Sequence, residues 1–327
     1  MATYKEISGT NVEVVSSDPT NPVTGQVWYN STTGLLKGTS LSTVGSWSTG
    51  GDLNTARRIL AGAGTSTAGL VFSGDNPSSF TAATESYDGT SWTEVNDMVG
   101  TVKRSKGSAG VQTSALSFGG YDGGSNLSET ESWDGTSWTA VNNLNTARRN
   151  LSGAGVDNTS ALAFGGYTTT PTGITEEWNG TSWTEVADLN SVRSGAAGLG
   201  TKTSALNVGG QPAGTIALTE SWNGTSWTEV GDLNTARSRL GASGTDNTIG
   251  IAFGGITPTN VANTETWNGA SWTEVSDMNN GRDELGSSTG VGSTTALAAG
   301  GQTGGSILAD TEEWSSSSNT VKTITTS

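Results

Sequence analysis

The sequence predicts an all-β protein, a six-bladed β-propeller preceded by a short N-terminal β module. Three repeated features carry this prediction: a tryptophan hairpin, a glycine pair that closes an apolar run, and a basic residue after an Asp/Asn–Leu/Met pair. The second aromatic of the hairpin recurs 46, 45, 44 and 45 residues apart, at Trp92, Trp138, Trp183, Trp227 and Trp272. A period near 45 with β-type composition is typical of propellers and related arrays.

The glycine pair, a Thr-Glu pair and the basic residue each occur six times, one weaker glycine copy included, and this number sets the predicted number of blades. The glycine pairs are Gly119-Gly120, Gly165-Gly166, Gly209-Gly210, Gly254-Gly255 and Gly300-Gly301, with a weaker copy at Ser73-Gly74. A Thr-Glu pair follows each of them and ends at Glu85, Glu131, Glu176, Glu220, Glu265 and Glu312. The basic residues are Arg57, Lys103, Arg148, Arg193, Arg237 and Arg282. We therefore assign residues 41–327 to the propeller and residues 1–40 to the N-terminal module.

The block from Asn143 to Trp183 shows how one repeat forms one blade. Its four predicted strands cover residues 151–155, 161–164, 175–178 and 182–186, with a tight hairpin turn at Asn179-Gly180. The first two strands are rich in Gly and Ala, and the last two carry the large aromatics. Because blades converge on a central axis, small residues suit the inner strands and bulky residues suit the outer ones.

These repeated residues resemble the kelch repeat: a glycine pair ends strand two, a Glu precedes an aromatic, and a Trp follows that aromatic about five residues later. The resemblance covers Trp47 to about Trp314 and implies a propeller fold without implying an activity. Some kelch-type propellers are copper oxidases, which need His ligands and a Cys-linked Tyr, but the chain contains no His and no Cys. We expect no catalytic residues, no metal site and no cofactor.

The chain ends indicate how the ring of blades closes. The last block lacks the second tryptophan of its hairpin, because Trp314 is followed by a serine run, whereas a spare Trp47 lies 45 residues before Trp92. We predict that the strand around Trp47 completes the sixth blade beside residues 311–314. The alternative is that residues 319–325 supply this strand, since they also have β character.

Composition disfavours several classes of function. The chain has 327 residues, a formal net charge of −15 and no basic cluster, which disfavours nucleic-acid binding through phosphate contacts. No apolar stretch reaches about 18 residues, so we expect no membrane insertion. The N-terminal residues lack the basic start and apolar core of an ordinary secretory signal.

The repeated residues have structural and functional interpretations. Tryptophans in register indicate packing between blades, although flat rings also stack on sugars. The six basic residues and six glutamates could line a polar channel, but their equal numbers favour one ion pair per block. The hairpins also resemble the Asp-box turns of sialidases, but they lack one residue of that spacing. We favour the structural interpretation for all three.

The loops between strands two and three differ from block to block while the scaffold repeats. They cover residues 75–82, 121–128, 167–174, 211–218, 256–263 and 302–309. In a propeller these loops would emerge on one face, and loops on a rigid scaffold commonly carry recognition. We predict binding contacts at Tyr121, Tyr167, Gln211 and Gln302. Drift in unconstrained loops is the alternative.

The N-terminal module does not follow the repeat. Residues 4–7 and 11–15 are predicted as short strands, and the residues from Gly25 onward as a hairpin that turns at residues 31–34. Residues 22–30 and 33–37 read Pro-x-x-Gly-Gln-x-Trp-Tyr-Asn and Thr-Gly-x-Leu-Lys. This pattern resembles a segment of bacteriophage structural proteins, including tail-fibre and other appendage proteins of marine phages. The resemblance implies an attachment or oligomerisation module, in which Trp28 and Tyr29 pack against a partner. A plain hairpin that leans on the propeller is the alternative.

We expect a non-enzymatic phage virion protein at the particle surface, whose N-terminal module binds other virion proteins. Its propeller would recognise a host-surface glycan or protein, and many weak copies would give avidity. A homotrimer is expected only by analogy with phage appendages. The alternatives are a bacterial kelch-type carbohydrate-binding adhesin and, less favoured, a propeller hydrolase or lyase.

Overall fold

The structure is a computed structural model that describes residues 12–20, 25–41, 45–101, 104, 107–288, 293–316 and 319–324. These residues form strands, turns and loops, and none of them lies in a helix. They belong to two compact units: a smaller one of Met1–Ser46 with Ser316–Ser327, and a larger one of Trp47–Ser315.

The strands are short and numerous. The first sixteen are β1 (Glu13–Val15), β2 (Val27–Asn30), β3 (Leu35–Leu41), β4 (Ser46–Thr49), β5 (Ala61–Thr65), β6 (Ala68–Phe72), β7 (Thr84–Tyr87), β8 (Trp92–Val95), β9 (Gly107–Val111), β10 (Ser114–Tyr121), β11 (Asn126–Trp133), β12 (Trp138–Val141), β13 (Ser152–Asp157), β14 (Ser160–Phe164), β15 (Thr175–Trp178) and β16 (Trp183–Glu185). The others are β17 (Ala197–Thr201), β18 (Ser204–Val208), β19 (Thr219–Trp222), β20 (Trp227–Glu229), β21 (Gly241–Asp246), β22 (Ile249–Phe253), β23 (Ile256–Thr257), β24 (Thr259–Asn260), β25 (Thr264–Trp267), β26 (Trp272–Glu274), β27 (Gly286–Ser287), β28 (Thr295–Ala299), β29 (Gln302–Thr303), β30 (Ser306–Ile307), β31 (Thr311–Ser315) and β32 (Asn319–Thr323).

Six four-stranded sheets make up the larger unit, one for each repeat. Their strand orders are β5-β6-β7-β8, β9-β10-β11-β12, β13-β14-β15-β16, β17-β18-β19-β20, β21-β22-β25-β26 and β27-β28-β31-β4. The pairs β23-β24 and β29-β30 are small ribbons between the second and third strands of the last two sheets. The all-β prediction is confirmed, and the repeated sheets are compatible with a β-propeller.

Each outer hairpin turns through polar residues between two paired aromatics. Trp178 pairs with Trp183, so residues 179–182 form the connection, which is longer than a two-residue Asn-Gly turn. Oδ1 of Asn179 accepts hydrogen bonds at 2.9 Å from two backbone N–H groups inside the turn. Gly180 has a φ of 90°, a conformation that L side chains rarely adopt. The hairpin is confirmed, and the Asn side chain supplies the acceptor that holds it.

A repeated tryptophan–threonine hydrogen bond joins each sheet to the one before it. Nε1 of the tryptophan on the outermost strand donates to Oγ1 of a threonine on the third strand of the preceding sheet, at 2.9–3.1 Å. The pairs are Trp47–Thr264, Trp92–Thr311, Trp138–Thr84, Trp183–Thr130, Trp227–Thr175 and Trp272–Thr219. Followed in order, these bonds pass through all six sheets and return to the first.

The hydrophobic core of the larger unit lies between successive sheets. Phe118 of β10 packs edge-on against Trp183 of the next sheet, with ring centroids 5.0 Å apart. Equivalent contacts join Phe72 with Trp138, Phe164 with Trp227, and Phe253 with Trp47. These rings are all buried, and each such pair contributes about 0.5–1.5 kcal/mol beyond area burial.

The first strands of the sheets contact one another directly. Each first strand contacts the next one in the series β5, β9, β13, β17, β21 and β27, and β27 contacts β5. A Cβ atom added at Gly153 of β13 would lie 2.3 Å from the backbone oxygen of Ser108 on β9. The small residues predicted for the inner strands are therefore required by close backbone approach.

The strand that contains Trp47 completes the last sheet, as predicted. β4 lies beside β31 in the strand order, and the N–H of Gly50 donates to the carbonyl of Thr311 at 2.9 Å. The rings of Trp47 and Trp314 have centroids 5.8 Å apart. The alternative candidate, β32, pairs instead with β3 in the smaller unit.

Five of the repeated basic residues form buried ion pairs with the glutamate of the same repeat. They join Arg57 to Glu85, Arg148 to Glu176, Arg193 to Glu220, Arg237 to Glu265 and Arg282 to Glu312. Burial lowers the pKa of Arg148, and the adjacent carboxylate of Glu176 opposes that shift. Glu176 also accepts hydrogen bonds from the backbone and side chain of Asn145 at 2.7 and 2.8 Å. The predicted ion pair is confirmed for these five blocks, and Lys103 lies outside the described residues.

The smaller unit is a four-stranded sheet with the order β1-β2-β3-β32. Its β2–β3 hairpin turns at residues 31–34, as predicted, while residues 4–7 lie outside the described residues. Asp18 organises this sheet because its carboxylate accepts hydrogen bonds from Trp28 Nε1 at 3.1 Å and Asn30 Nδ2 at 2.8 Å, and pairs with Lys37 Nζ at 2.6 Å. These contacts, led by the one with Lys37, lower the pKa of Asp18 to about 2.

Candidate functional site

A pocket of about 460 Å³ lies in the larger unit, lined by residues that follow the buried arginines of successive repeats. Four guanidinium groups line it, those of Arg58, Arg104, Arg149 and Arg239. Four leucines supply apolar surface, Leu60, Leu151, Leu240 and Leu285. The volume falls within the range of about 300–1,000 Å³ that is usual for small-molecule sites.

Backbone hydrogen bonds between neighbouring repeats form a belt around this pocket. The N–H of Gly195 donates to the carbonyl of Asn150, and the N–H of Arg239 to that of Gly195, at 2.9 and 2.7 Å. The N–H of Glu284 donates to the carbonyl of Arg239, and the N–H of Ile59 to that of Glu284, at 3.0 and 2.7 Å. Because the belt uses these backbone groups, recognition in the pocket depends on side chains.

The belt residues share an unusual backbone conformation. Ile59, Asn150, Arg239 and Glu284 have φ values between 52° and 58°, and Gly195 has a φ of 62°. Non-glycine residues in this region cost of the order of 1–3 kcal/mol and persist only where the surroundings impose them. The scaffold therefore fixes where these side chains point into the pocket.

The variable loops reach the pocket through a second backbone contact. Arg149 and Tyr167 exchange two backbone hydrogen bonds at 3.1 and 2.7 Å. Five more bridges have the same form: Arg58 with Asp75, Arg104 with Tyr121, Ser194 with Gln211, Ser238 with Ile256, and Asp283 with Gln302. The first residue of each variable loop is thus tied to the residue that follows a repeated basic residue.

The glycine pairs place the loops in this position. Gly165 and Gly166 both have positive φ, 63° and 110°, and the N–H of Gly166 donates to the carbonyl of Arg193 in the next repeat. A Cβ atom at Gly166 would lie 2.9 Å from the backbone oxygen of Arg149. The glycine pair therefore adopts a left-handed conformation and lets the backbone pass close to the bridge between Arg149 and Tyr167.

The four residues predicted as binding contacts occupy equivalent places but differ in their relation to the pocket. Tyr121 and Gln302 line it. Tyr167 lies against the lining residue Arg149, whose guanidinium carbon is 4.7 Å from the centre of the tyrosine ring. Gln211 accepts a hydrogen bond from the hydroxyl of Ser238 at 3.4 Å and is not among the lining residues. Their role in binding stays a prediction.

Two of the pocket arginines share one carboxylate. Asp75 Oδ2 lies 3.1 Å from Nη2 of Arg58 and 3.1 Å from Nη1 of Arg104. Arg58 also donates to the side-chain oxygen of Gln302, and Arg104 stacks 4.7 Å from the ring centre of Phe80. These contacts orient both guanidinium groups and neutralise part of their charge.

Arg149 has a different environment from the other three arginines. Its guanidinium lies 4.5 Å from the ring centre of Tyr121 and 4.7 Å from that of Tyr167. Its Nη1 donates to Oδ1 of Asn126 at 3.3 Å. No carboxylate among the described residues forms an ion pair with it. Cation–π stacking therefore holds this planar cation without neutralising it.

Two adjacent carboxylates, those of Asp283 and Glu284, lie close to the guanidinium of Arg239. Glu284 Oε1 is 2.9 Å from Nη1 of Arg239, and Asp283 Oδ2 is 3.6 Å from the same atom. The side chain of Asp283 is fully buried, and Asn260 donates to its Oδ1 at 2.7 Å. Burial and, secondarily, the charge of Asp283 raise the pKa of Glu284, while Arg239 and Arg58 act in the opposite direction.

Tryptophan side chains are not part of the site. All twelve tryptophans are buried, so none presents an open ring face to a sugar. In the smaller unit Trp28 is fully buried, whereas the adjacent Tyr29 is half-buried. The proposed contact of this module with a partner therefore depends on Tyr29 more than on Trp28.

Within the part of the chain that the structure describes, no group of three or more Asp or Glu residues is placed to hold a metal ion. The same residues include no helix long and apolar enough to cross a membrane. No known protein family matches this chain, and no curated protein is significantly similar to it.

Sequence reasoning missed the arginines that line the pocket. It singled out the first basic residue of each block and overlooked the second residue of the doublets at residues 57–58, 103–104 and 148–149. The available signal was the difference between a first position that is basic in every block and a second position that varies. Arg239 lies two positions after its repeated arginine, at a belt position like that of Asn150 and Glu284, so the doublet pattern does not mark it.

Proposed function

We propose that the larger unit is a six-bladed kelch-like β-propeller. The cycle of six tryptophan–threonine bonds supports this assignment, because each bond joins two successive sheets and the series returns to its start. A second pocket of about 130 Å³ gives independent support. Its lining includes residues from β5, β9, β13, β17 and β27, the first strands of five of the sheets.

We infer that this protein is a non-enzymatic phage virion component that uses the propeller for recognition or host attachment. The observation that carries the recognition role is the contrast between a repeated scaffold and the divergent side chains that it holds around one pocket. The resemblance of residues 22–37 to phage appendage proteins supports the virion assignment. Multivalent display would turn weak contacts into avidity.

The smaller unit is the proposed attachment module for other virion proteins, and a homotrimer is its proposed assembly. Tyr29 is half-buried on β2 of the β2–β3 hairpin, which suits a contact that forms on assembly. A Tyr29→Ser variant should reduce incorporation into particles while the larger unit keeps its melting temperature. Equal incorporation of the variant and the parent would contradict this role.

Immunogold electron microscopy on purified particles from the source culture tests the virion assignment. An antibody against the larger unit should label fixed positions on the virions. Absence of labelling, with the protein found on bacterial cells, would replace this proposal by the adhesin. Release of reducing ends from a host polysaccharide by the purified protein would overturn the non-enzymatic assignment.

A further inference from the structure

The charges of the pocket are unusual for this chain. The net charge is −15, and the chain has 15 Lys and Arg residues in total. Five of these arginines are in the buried ion pairs, and four others line one pocket. Because the remaining surface is acidic, the pocket is a local positive site on a protein whose overall field repels anions.

Arg149 is the group in this pocket best suited to bind an anion. It has five N–H donors, and only the bond to Asn126 uses one of them among the described residues. The rings of Tyr121 and Tyr167 fix the plane of the guanidinium. A fixed planar fork of donors matches a carboxylate, with which arginine forms bidentate hydrogen bonds.

Three carboxylates that pair with the pocket arginines restrict the charge of the ligand: Glu284 lines the pocket, and Asp75 and Asp283 lie behind its lining. Asp75 is shared by Arg58 and Arg104, and Asp283 and Glu284 face Arg239. Four guanidinium groups therefore meet three carboxylates among the described residues, and Arg149 carries the excess positive charge. A group with one negative charge complements this balance, whereas a phosphate dianion would be repelled by these carboxylates.

The uncharged residues of the lining indicate the chemical character of the rest of the ligand. Leu60, Leu151, Leu240 and Leu285 offer apolar surface, and Asn150 and Gln302 offer amides beside it. A sugar ring has this combination, because its C–H face is apolar and its edge carries hydroxyl groups. The volume of about 460 Å³ suits a small ligand of this kind.

We propose that this pocket binds the carboxylate of an acidic monosaccharide unit, with Arg149 as its partner. This assignment deepens the proposed recognition role and rests on it for the source of the ligand, an acidic polysaccharide of the host surface. The tyrosines stack on the arginine rather than on the sugar. Tyr121 and Tyr167 are therefore positioning residues for the guanidinium.

Calorimetric titration of the full-length protein with glucuronic and galacturonic acid oligosaccharides tests the proposal. Glucose and galactose oligosaccharides and glucose 6-phosphate serve as the neutral and phosphate probes. Uronic acids should bind at least about tenfold more tightly than either probe. Equal affinity for neutral sugars, or tighter binding of the phosphate, would overturn the assignment.

The variants separate the pocket from general charge effects. Arg149→Gln should weaken uronic acid binding about 10- to 100-fold, and Arg239→Gln provides a second pocket variant if the first fails to fold. Lys202→Gln removes one positive charge from a surface pair with Glu177, outside the pocket, and should leave binding unchanged. Uronic acid binding that survives Arg149→Gln would refute the site.

The outcomes also separate this proposal from the virion assignment. If no uronic acid binds but the protein labels virions, the pocket assignment fails and the proposed function stands. If uronic acids bind through Arg149 but virions carry no label, the pocket assignment stands and the virion assignment fails.

Discussion

Two neighbouring positions of the repeat differ in almost every physical property. Arg148 and the four other repeated arginines are buried, and each pairs with a glutamate of its own repeat, at a position that is basic in every block. The next position holds Arg58, Arg104, Arg149, Ser194, Ser238 and Asp283, which differ in charge and size. The backbone is nevertheless equivalent, since each of these residues makes the same bridge to a variable loop. One position thus maintains the fold, and the next is free to change the chemistry of the pocket.

The largest expected effect comes from breaking a buried ion pair of the scaffold. Glu176→Ala leaves Arg148 charged and buried, and should cost about 3–5 kcal/mol of unfolding free energy. Glu177→Ala is the matched control on the same strand, because its side chain is 32% exposed and pairs with Lys202 at the surface. The control should cost less than about 1 kcal/mol. Chemical denaturation measures both, and equal losses would contradict the contrast between the two carboxylates.

A smaller loss is expected from the bond that joins successive sheets. Thr130→Val keeps the side-chain shape but leaves Nε1 of Trp183 without its acceptor, which should cost about 1–3 kcal/mol. Thr264→Val removes the equivalent acceptor at the seam closed by Trp47, and should cost the same amount. Thr139→Val, at an exposed position, is the control. Thermal melting measures all three variants. A melting temperature of Thr264→Val equal to that of Thr139→Val would argue against closure of the series of sheets at Trp47.

The pH dependence of stability tests the environment of Glu284. Its raised pKa means that the folded chain holds this proton more tightly than the unfolded chain does. Stability should therefore fall as the pH rises from the ordinary value of 4.5 through the raised pKa. Glu284→Gln removes this contribution, so its melting temperature should decline less over that range. Glu177→Gln, at the surface, should retain the slope of the parent, and identical slopes for all three chains would refute the assignment.

The smallest effect on stability is expected at the pocket arginine itself. Arg149→Gln removes a partly buried cation held by ring stacking, which should cost about 0.5–1 kcal/mol. Arg148→Gln, one residue earlier, leaves Glu176 buried without its charge partner and should cost about 3–5 kcal/mol. Melting temperatures compare the two directly. Similar losses would show that both positions belong to the scaffold.

Much of the scaffold could be predicted because it repeats. The strands of the block at residues 143–183, the ion pairs and the strand at Trp47 follow from residue types that recur at fixed spacing. The length of the turn at Asn179 could not be predicted from the sequence, because the Asn-Gly dipeptide indicates a two-residue turn. In the structure Trp178 pairs with Trp183, so the turn contains residues 179–182.

The pocket could be predicted only in part, because its residues do not repeat. The variable loops directed attention to Tyr121 and Gln302, which line it. Arg149 follows a repeated arginine as Arg58 does, but Arg239 carries no such signal, and the belt that joins residues 59, 150, 195, 239 and 284 brings them to one pocket. Neither the stacking of Arg149 between two tyrosines nor the sharing of Asp75 by two arginines can be read from spacing.

The sequence by itself determined the repeat, the all-β class and the pairing of buried charges, because periodic burial leaves a periodic pattern of residue types. Tertiary structure alone decided which variable side chains meet and which charges remain without a partner. The physical reason is that the belt and the bridges are backbone hydrogen bonds. Such bonds place any side chain at the pocket whatever its type, so they leave almost no mark on the sequence.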